Sequence, residues 1–288
     1  MTWPERSRWQ RSRGVDPRLY QIGTLASLLV YGMGWLDFDV TPPRVVLLLG
    51  TALGTQWLGD RITRSPVPFR SGARSALISG LSLCLLLRTN HAELAVLAAV
   101  LTIGSKFLIR LDGKHIFNPT NGGIVAMLLL SDRVWVSPGQ WGAVAFFAFL
   151  MACAGSLVVN RAARSDVTYA FIACYCALVF GRSLYLGEPL VIPLHRLQSG
   201  ALLLFTFFMI SDPKTTPDSR AGRVLFAALV AFGAWYIQFR LFRTNGLLWS
   251  LAACSAMVPI IDRLLPGARY AWASARTTST PSPVLRAA

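Results

Sequence analysis

A chain of 288 residues that is 54% hydrophobic, only 14% charged and positive in mean hydropathy excludes an ordinary water-soluble domain. The net charge of +15 would point to nucleic acid in a soluble protein. Beside this much apolar sequence it reads instead as the positive loops of a membrane protein, with the lipid bilayer and no nucleic acid as partner.

In chain order, residues 1–18 form a basic tail with five arginines, followed by a long apolar segment without a small-residue cleavage site, so no cleaved signal peptide is expected. Apolar runs then occur at about 19–36, 44–59, 75–87, 94–109, 121–130, 142–159, 167–181, 197–210, 223–239 and 246–261. The expectation is an all-α integral membrane protein of about ten transmembrane helices. Several runs are well short of the ~20 residues that cross ~30 Å of hydrocarbon. The runs at 75–87 and 121–130 are the shortest and predict broken or half helices.

With the N-terminus in the cytoplasm, 21 lysines and arginines fall inside and 7 outside. This bias predicts both termini on the cytoplasmic side of the inner membrane. The outside set is Arg44, Arg88, Arg133, Arg182, Arg196, Arg240 and Arg243.

The domain reading is a cytoplasmic tail (1–18), a first membrane repeat (19–140), a second (141–265) and a mobile tail (266–288) rich in Ser, Thr and Pro. Ser71-Gly72-Ala73 recurs as Ser199-Gly200-Ala201, and Thr120-Asn121-Gly122 as Thr244-Asn245-Gly246. Offsets of 128 and 124 suggest five spans per repeat, and an odd number inverts the second copy in the membrane. A rival offset of 80 aligns His115 with His195 and Ser131-Asp132 with Ser211-Asp212.

Few polar groups interrupt these runs. Lys106 is the only charge inside the body of a predicted span; near the helix end it either snorkels to the interface or binds a ligand. No Asp, Glu or His is expected at midplane depth, which argues against a self-contained proton pump. Gly50 and Gly54 form a GxxxG that predicts close helix approach. The segment Trp135–Trp141 reads as an interfacial turn with aromatic anchors. The cysteines Cys84, Cys153, Cys174, Cys176 and Cys254 lie in apolar runs without metal spacing and read as packing residues.

The leading site is the start of the fifth run. Lys114 and His115 precede Phe117-Asn118-Pro119-Thr120-Asn121-Gly122-Gly123. Asn118 suits an N-cap and Pro119 the first helical position. Two asparagines, a threonine and paired glycines exceed what a cap needs, and backbone N–H groups there suit an anionic group. The two readings are a binding mouth for a planar anion such as a flavin, and a helix cap with close packing. The second block is Ser211-Asp212-Pro213 at the end of the eighth run. An aspartate there opposes the helix dipole, so Lys214, Arg220 or Arg223 is expected to offset it, or a site to use it. Both blocks fall on the cytoplasmic side and are expected to face one cavity.

These two blocks resemble the membrane subunit shared by the sodium-pumping NADH:quinone reductase (its B subunit) and the Rnf ferredoxin:NAD complex (its D subunit). The resemblance spans roughly Phe69 to Leu264, and the chain looks most like the short members found beside natural-product clusters such as those for enediynes. It implies a membrane subunit of an electron-transport and ion-translocating complex, with partner subunits and the five-plus-five repeat. From the residues themselves, Lys114, His115, Asn118, Thr120, Asn121 and Asp212 are the candidate cofactor-binding set.

The long members carry flavin mononucleotide through the threonine of a Ser-Gly-Ala-Thr segment. Here the corresponding loop is only Ser131–Gly142 and Ser199-Gly200-Ala201 is followed by Leu202. The expectation is therefore non-covalent flavin (FMN or riboflavin), not covalent FMN. No Gly-rich dinucleotide loop or cysteine set suggests NADH or iron–sulfur binding, no metal site is expected, and no self-contained catalytic site is seen. The alternative class is a non-redox transporter or export-associated protein of a natural-product cluster.

Overall fold

The computed structural model describes residues 16–36, 38–64, 68–111, 113–137 and 165–269. The run expected at 142–159, Cys153 and most of both tails lie outside the described residues.

The first half runs α1 (Pro17–Trp35), α2 (Pro42–Ile62), α3 (Phe69–Leu86), β1 (Leu87–Thr89), α4 (Ala92–Leu108), β2 (Arg110–Leu111), β3 (Lys114–His115), α5 (Pro119–Leu130) and β4 (Val134–Val136). The second runs α6 (Ser165–Leu186), α7 (Val191–Leu197), α8 (Gly200–Leu204, continued by a π-helical turn Phe205–Met209), α9 (Arg220–Phe239) and α10 (Gly246–Leu264). Nine of the ten apolar runs lie on these helices, and α7 is an addition. The all-α expectation is corrected by two short antiparallel ribbons. β1 pairs with β4 (Leu87 with Val136, Thr89 with Val134), and β2 with β3 (Arg110 with His115, Leu111 with Lys114). Each ribbon satisfies backbone groups that the neighbouring helix ends leave open.

The helices α6, α9 and α10 are each long and apolar enough to cross a hydrocarbon core. α7 and α8, bent by 52° at their junction, would together make a fourth such span. α5, with 12 residues, is a short apolar helix, as its run predicts. The other short run, 75–87, is corrected: all but its last residue lies in the unbroken 18-residue α3, which starts earlier in polar sequence.

One packing arrangement recurs. α4 lies against α2 and α5, and α9 lies against α6 and α10. α5 also touches α10 and so joins the halves. The core of the second half is aromatic: Phe171 stacks on Tyr175 with ring centroids 5.6 Å apart and meets Phe205 at 5.2 Å. Such pairs add ~0.5–1.5 kcal/mol beyond the area they bury.

The close approaches fall elsewhere than the GxxxG predicts. Gly50 and Gly54 face open space, and a Cβ on either would meet nothing within 4 Å. The tight contact is at Gly123 on α5, where a Cβ would sit 1.8 Å from Thr102 Oγ1 and 2.9 Å from Thr102 Cα on α4. A glycine pair in sequence permits approach, but the facing helix decides whether it is used.

Candidate functional site

The mouth of α5 is built by its own asparagines. Asn118 caps the helix, its side-chain oxygen accepting from the Asn121 N–H at 3.1 Å, and Pro119 follows where no N–H is needed. The same side chain turns its amide nitrogen to the second half, donating to the Met209 carbonyl at 3.3 Å and to Asp212 Oδ2 at 3.4 Å. Met209 ends the π-helical turn. Asn121, fully buried, donates to the Leu248 carbonyl in the first turn of α10 at 3.2 Å. Thr120 is buried beside it.

The two blocks therefore meet directly. Asp212 is steadied by the Lys214 backbone N–H at 3.0 Å and by the Asn118 amide, while Thr216 donates its hydroxyl to the Asp212 carbonyl at 3.1 Å. This is how a carboxylate is tolerated where the helix dipole is already negative. Of the three cations expected to offset it, Arg223 pairs with Asp166 at 2.6 Å.

Lys114 is drawn away from the mouth. Its ammonium pairs with Asp218 at 3.0 Å and Asp262 at 2.7 Å, and the Asp218 N–H donates to Asp262 at 2.8 Å. The β2–β3 turn is thereby clamped to the start of α9 and the end of α10. Sequence reasoning missed Asp218 and Asp262 as partners. Their only signal is that each flanks an apolar run, Asp218 ahead of 223–239 and Asp262 after 246–261.

Lys106 does not snorkel. It is 5% exposed, and its ammonium donates to Gln56 Oε1 at 3.1 Å. Gln56, also buried, donates to Asp60 Oδ1 at 3.0 Å. Arg110, one turn on, donates to the Lys106 carbonyl. Gln56 and Asp60 are four apart on α2, a spacing that places them on one face.

Two enclosed polar atoms in the block find no partner among the described residues, Asn121 Oδ1 and His115 Nδ1. Burial pushes His115 down to about 3, helped by the charges of Lys214, Arg110 and Lys106. The imidazole is therefore neutral and carries one donor and one acceptor nitrogen. The arrangement offers a hydrogen-bonding edge in a positive surrounding. It has no nucleophile–base pair, and no cluster of three or more metal-ligating side chains occurs among the described residues.

A helical bundle with several apolar spans, joined through a polar mouth between two short helices, defines a helical membrane protein. The NQR2, RnfD, RnfE family matches residues 126–271, half of the chain, and the chain belongs to that family. The matched range holds Asp212, while the Asn118 block lies just ahead of it. Curated relatives, each named as the D component of an ion-translocating oxidoreductase complex, share 28% identity with it. The protein of Erwinia tasmaniensis aligns over 144 residues, 50% of this chain and 37% of its own length. Those of Escherichia coli K12 and Shigella boydii align over 131 residues, 46% of this chain and 33% of theirs. The chain thus matches little more than a third of the length of these relatives.

Proposed function

We propose that the chain is a membrane subunit of an electron-transport, ion-translocating complex, with a non-covalently held flavin at the α5 mouth. It lies in the inner membrane with both tails cytoplasmic, as the 21-to-7 charge bias favours. The family and the names of the relatives support the subunit role and imply partner subunits. The observation that carries the cofactor reading is the contact of the Asn118 block with Asp212, beside two enclosed polar atoms without partners among the described residues.

The residues fit a flavin in divided roles. Asn118 and Asp212 spend their hydrogen bonds on the protein and fix the mouth, while Lys114 is held by Asp218 and Asp262. Asn121 Oδ1 supplies an acceptor, His115 a neutral imidazole edge, and Thr120 a hydroxyl-bearing wall. The neighbouring Lys106, Arg110 and Lys214 favour an electron-rich ring, and a bound flavin would supply one- and two-electron redox chemistry. The like packing of α4 between α2 and α5 and of α9 between α6 and α10 supports the five-plus-five inverted repeat of about ten spans.

The test is a visible spectrum of detergent-purified protein, followed by acid precipitation. Flavin absorption that passes to the supernatant is the expected result. Fluorescence retained on the denatured band would overturn non-covalent binding. Protein without flavin under conditions that keep it folded would favour the non-redox transporter reading. Asn118→Ser should keep the fold and lower flavin stoichiometry.

A further inference from the structure

At the end of α6 and α9 opposite the Asn118 mouth, two arginines from separate stretches of chain meet at one ring, and two more follow that ring in sequence. The guanidinium carbons of Arg182 on α6 and Arg196 on α7 lie 4.5 and 4.9 Å from the centre of the same ring, Phe239 at the end of α9. Arg240 follows that ring directly, and Arg243 lies three residues on. The nearby carboxylate, Glu188, is already committed. It accepts from Arg182 at 2.7 and 2.9 Å and from the Ser183 hydroxyl at 3.1 Å. Arg196, Arg240 and Arg243 are exposed and form no ion pair among the described residues.

An anion beside exposed guanidinium groups that lack an ion pair among the described residues is favoured by charge and gains bidentate hydrogen bonds. The topology proposed above sharpens the oddity. This end faces outward, where only seven basic residues fall, and four of the seven are here.

A free anion would use only the arginines, yet the cluster is set among large apolar side chains held in the open. Tyr185 is 89% exposed, Val191 72% and Phe242 84%. Phe242 sits between Arg240 and Arg243 with φ of +51°. A bulky residue in the left-handed region is strained. The fold thus keeps a strained backbone that turns an aromatic ring outward. α7 adds Leu194 and Ile192, both exposed, and is too short to span. By itself it has interfacial character, although joined to α8 it would form the bent fourth span.

We propose that this end is a binding surface for an anionic phospholipid, with the phosphodiester between Arg196, Arg240 and Arg243. The acyl chains lie along Tyr185, Val191 and Phe242. Arg182, already paired with Glu188, holds Phe239 in place beneath the headgroup.

The experiment places the protein in nanodiscs of phosphatidylcholine alone or mixed with phosphatidylglycerol, and reads the thermal melt and the lipid co-retained in native mass spectrometry. The expected result is a melt raised by phosphatidylglycerol and several-fold preferential retention of that lipid. Both should be lost in Arg196→Gln/Arg243→Gln and kept in Arg133→Gln, an exposed arginine away from the cluster. An equal effect in the double variant overturns the proposal. So does an equal rise from inorganic phosphate in phosphatidylcholine discs, which would mean a free-anion site. Should the double variant not fold, the wild-type comparison decides, because absence of any phosphatidylglycerol preference also overturns it. Flavin content of the variants is a separate reading, so failure here is distinguishable from failure of the cofactor proposal.

Discussion

α4–α5 and α9–α10 occupy like places in the two halves, yet their junctions differ in kind. α5 starts with Asn118, whose side chain caps its own helix and reaches across to Met209 and Asp212. α10 starts with Asn245 at φ +60°, which makes no side-chain cap bond. The recurring tripeptides also sit differently. Thr120-Asn121-Gly122 lies inside the first turn of α5, whereas Thr244-Asn245 precedes α10 and Gly246 opens it. A similar local sequence therefore serves different ends. In the first half it forms an enclosed polar junction between halves; in the second it forms a plain helix entry.

The largest difference should appear at the two glycines where these pairs touch. At Gly123 a Cβ meets the Thr102 backbone at 2.9 Å as well as its hydroxyl, whereas at Gly233 it meets Ser250 Oγ at 2.4 Å and backbone only at 3.9 Å. Gly123→Ala should therefore cost about 3 kcal/mol, because α4 and α5 must separate, and Gly233→Ala about 1 kcal/mol. Detergent thermal melts measure both, and equal losses would break the contrast.

Next in size is Lys114→Ala, which leaves Asp218 and Asp262 facing each other without their cation. A loss of about 2 kcal/mol is expected at these partly buried groups, and Asp262→Asn in the same chain should restore more than half of it. A double-mutant cycle reads the coupling directly.

Asn121→Ala should cost about 2 kcal/mol, since it removes the enclosed bond to Leu248. Asn245→Gly should be neutral or gain up to about 1 kcal/mol, because glycine takes the left-handed conformation freely. A destabilised Asn245→Gly would show that the second mouth is also a built junction.

The smallest effect is on pH. His115 is held down to about 3 from an ordinary 6.5, first by burial. The fold keeps the neutral imidazole, so this group's stability is present above about 6.5 and is lost as pH falls from there toward 3. Moving from about pH 7.5 to about 5.5 should cost about 1 kcal/mol. His115→Gln should flatten that part of the curve, and an unchanged pH profile would show that the imidazole is not enclosed in solution.

Much of the architecture was legible in the sequence because lipid leaves it few options. Apolar runs had to become helices, so their positions alone placed nine of them, and the shortness of 121–130 gave α5 its half length. Asn118 before Pro119 announced a helix start for the same local reasons the structure uses. Which groups met was decided only by tertiary packing. Lys106 became buried because α2 presents Gln56 to it. Lys114 left the mouth because Asp218 and Asp262, 104 and 148 residues away, converge on it. Gly50 and Gly54 went unused because no helix of the described chain lies against them. Arg182 and Arg196 are separate in sequence and meet at Phe239 through the turn between α6 and α7. Local signals report what a backbone segment requires for itself. Partners for a charge or a small residue are set by which helix faces it, and that is a property of the whole bundle.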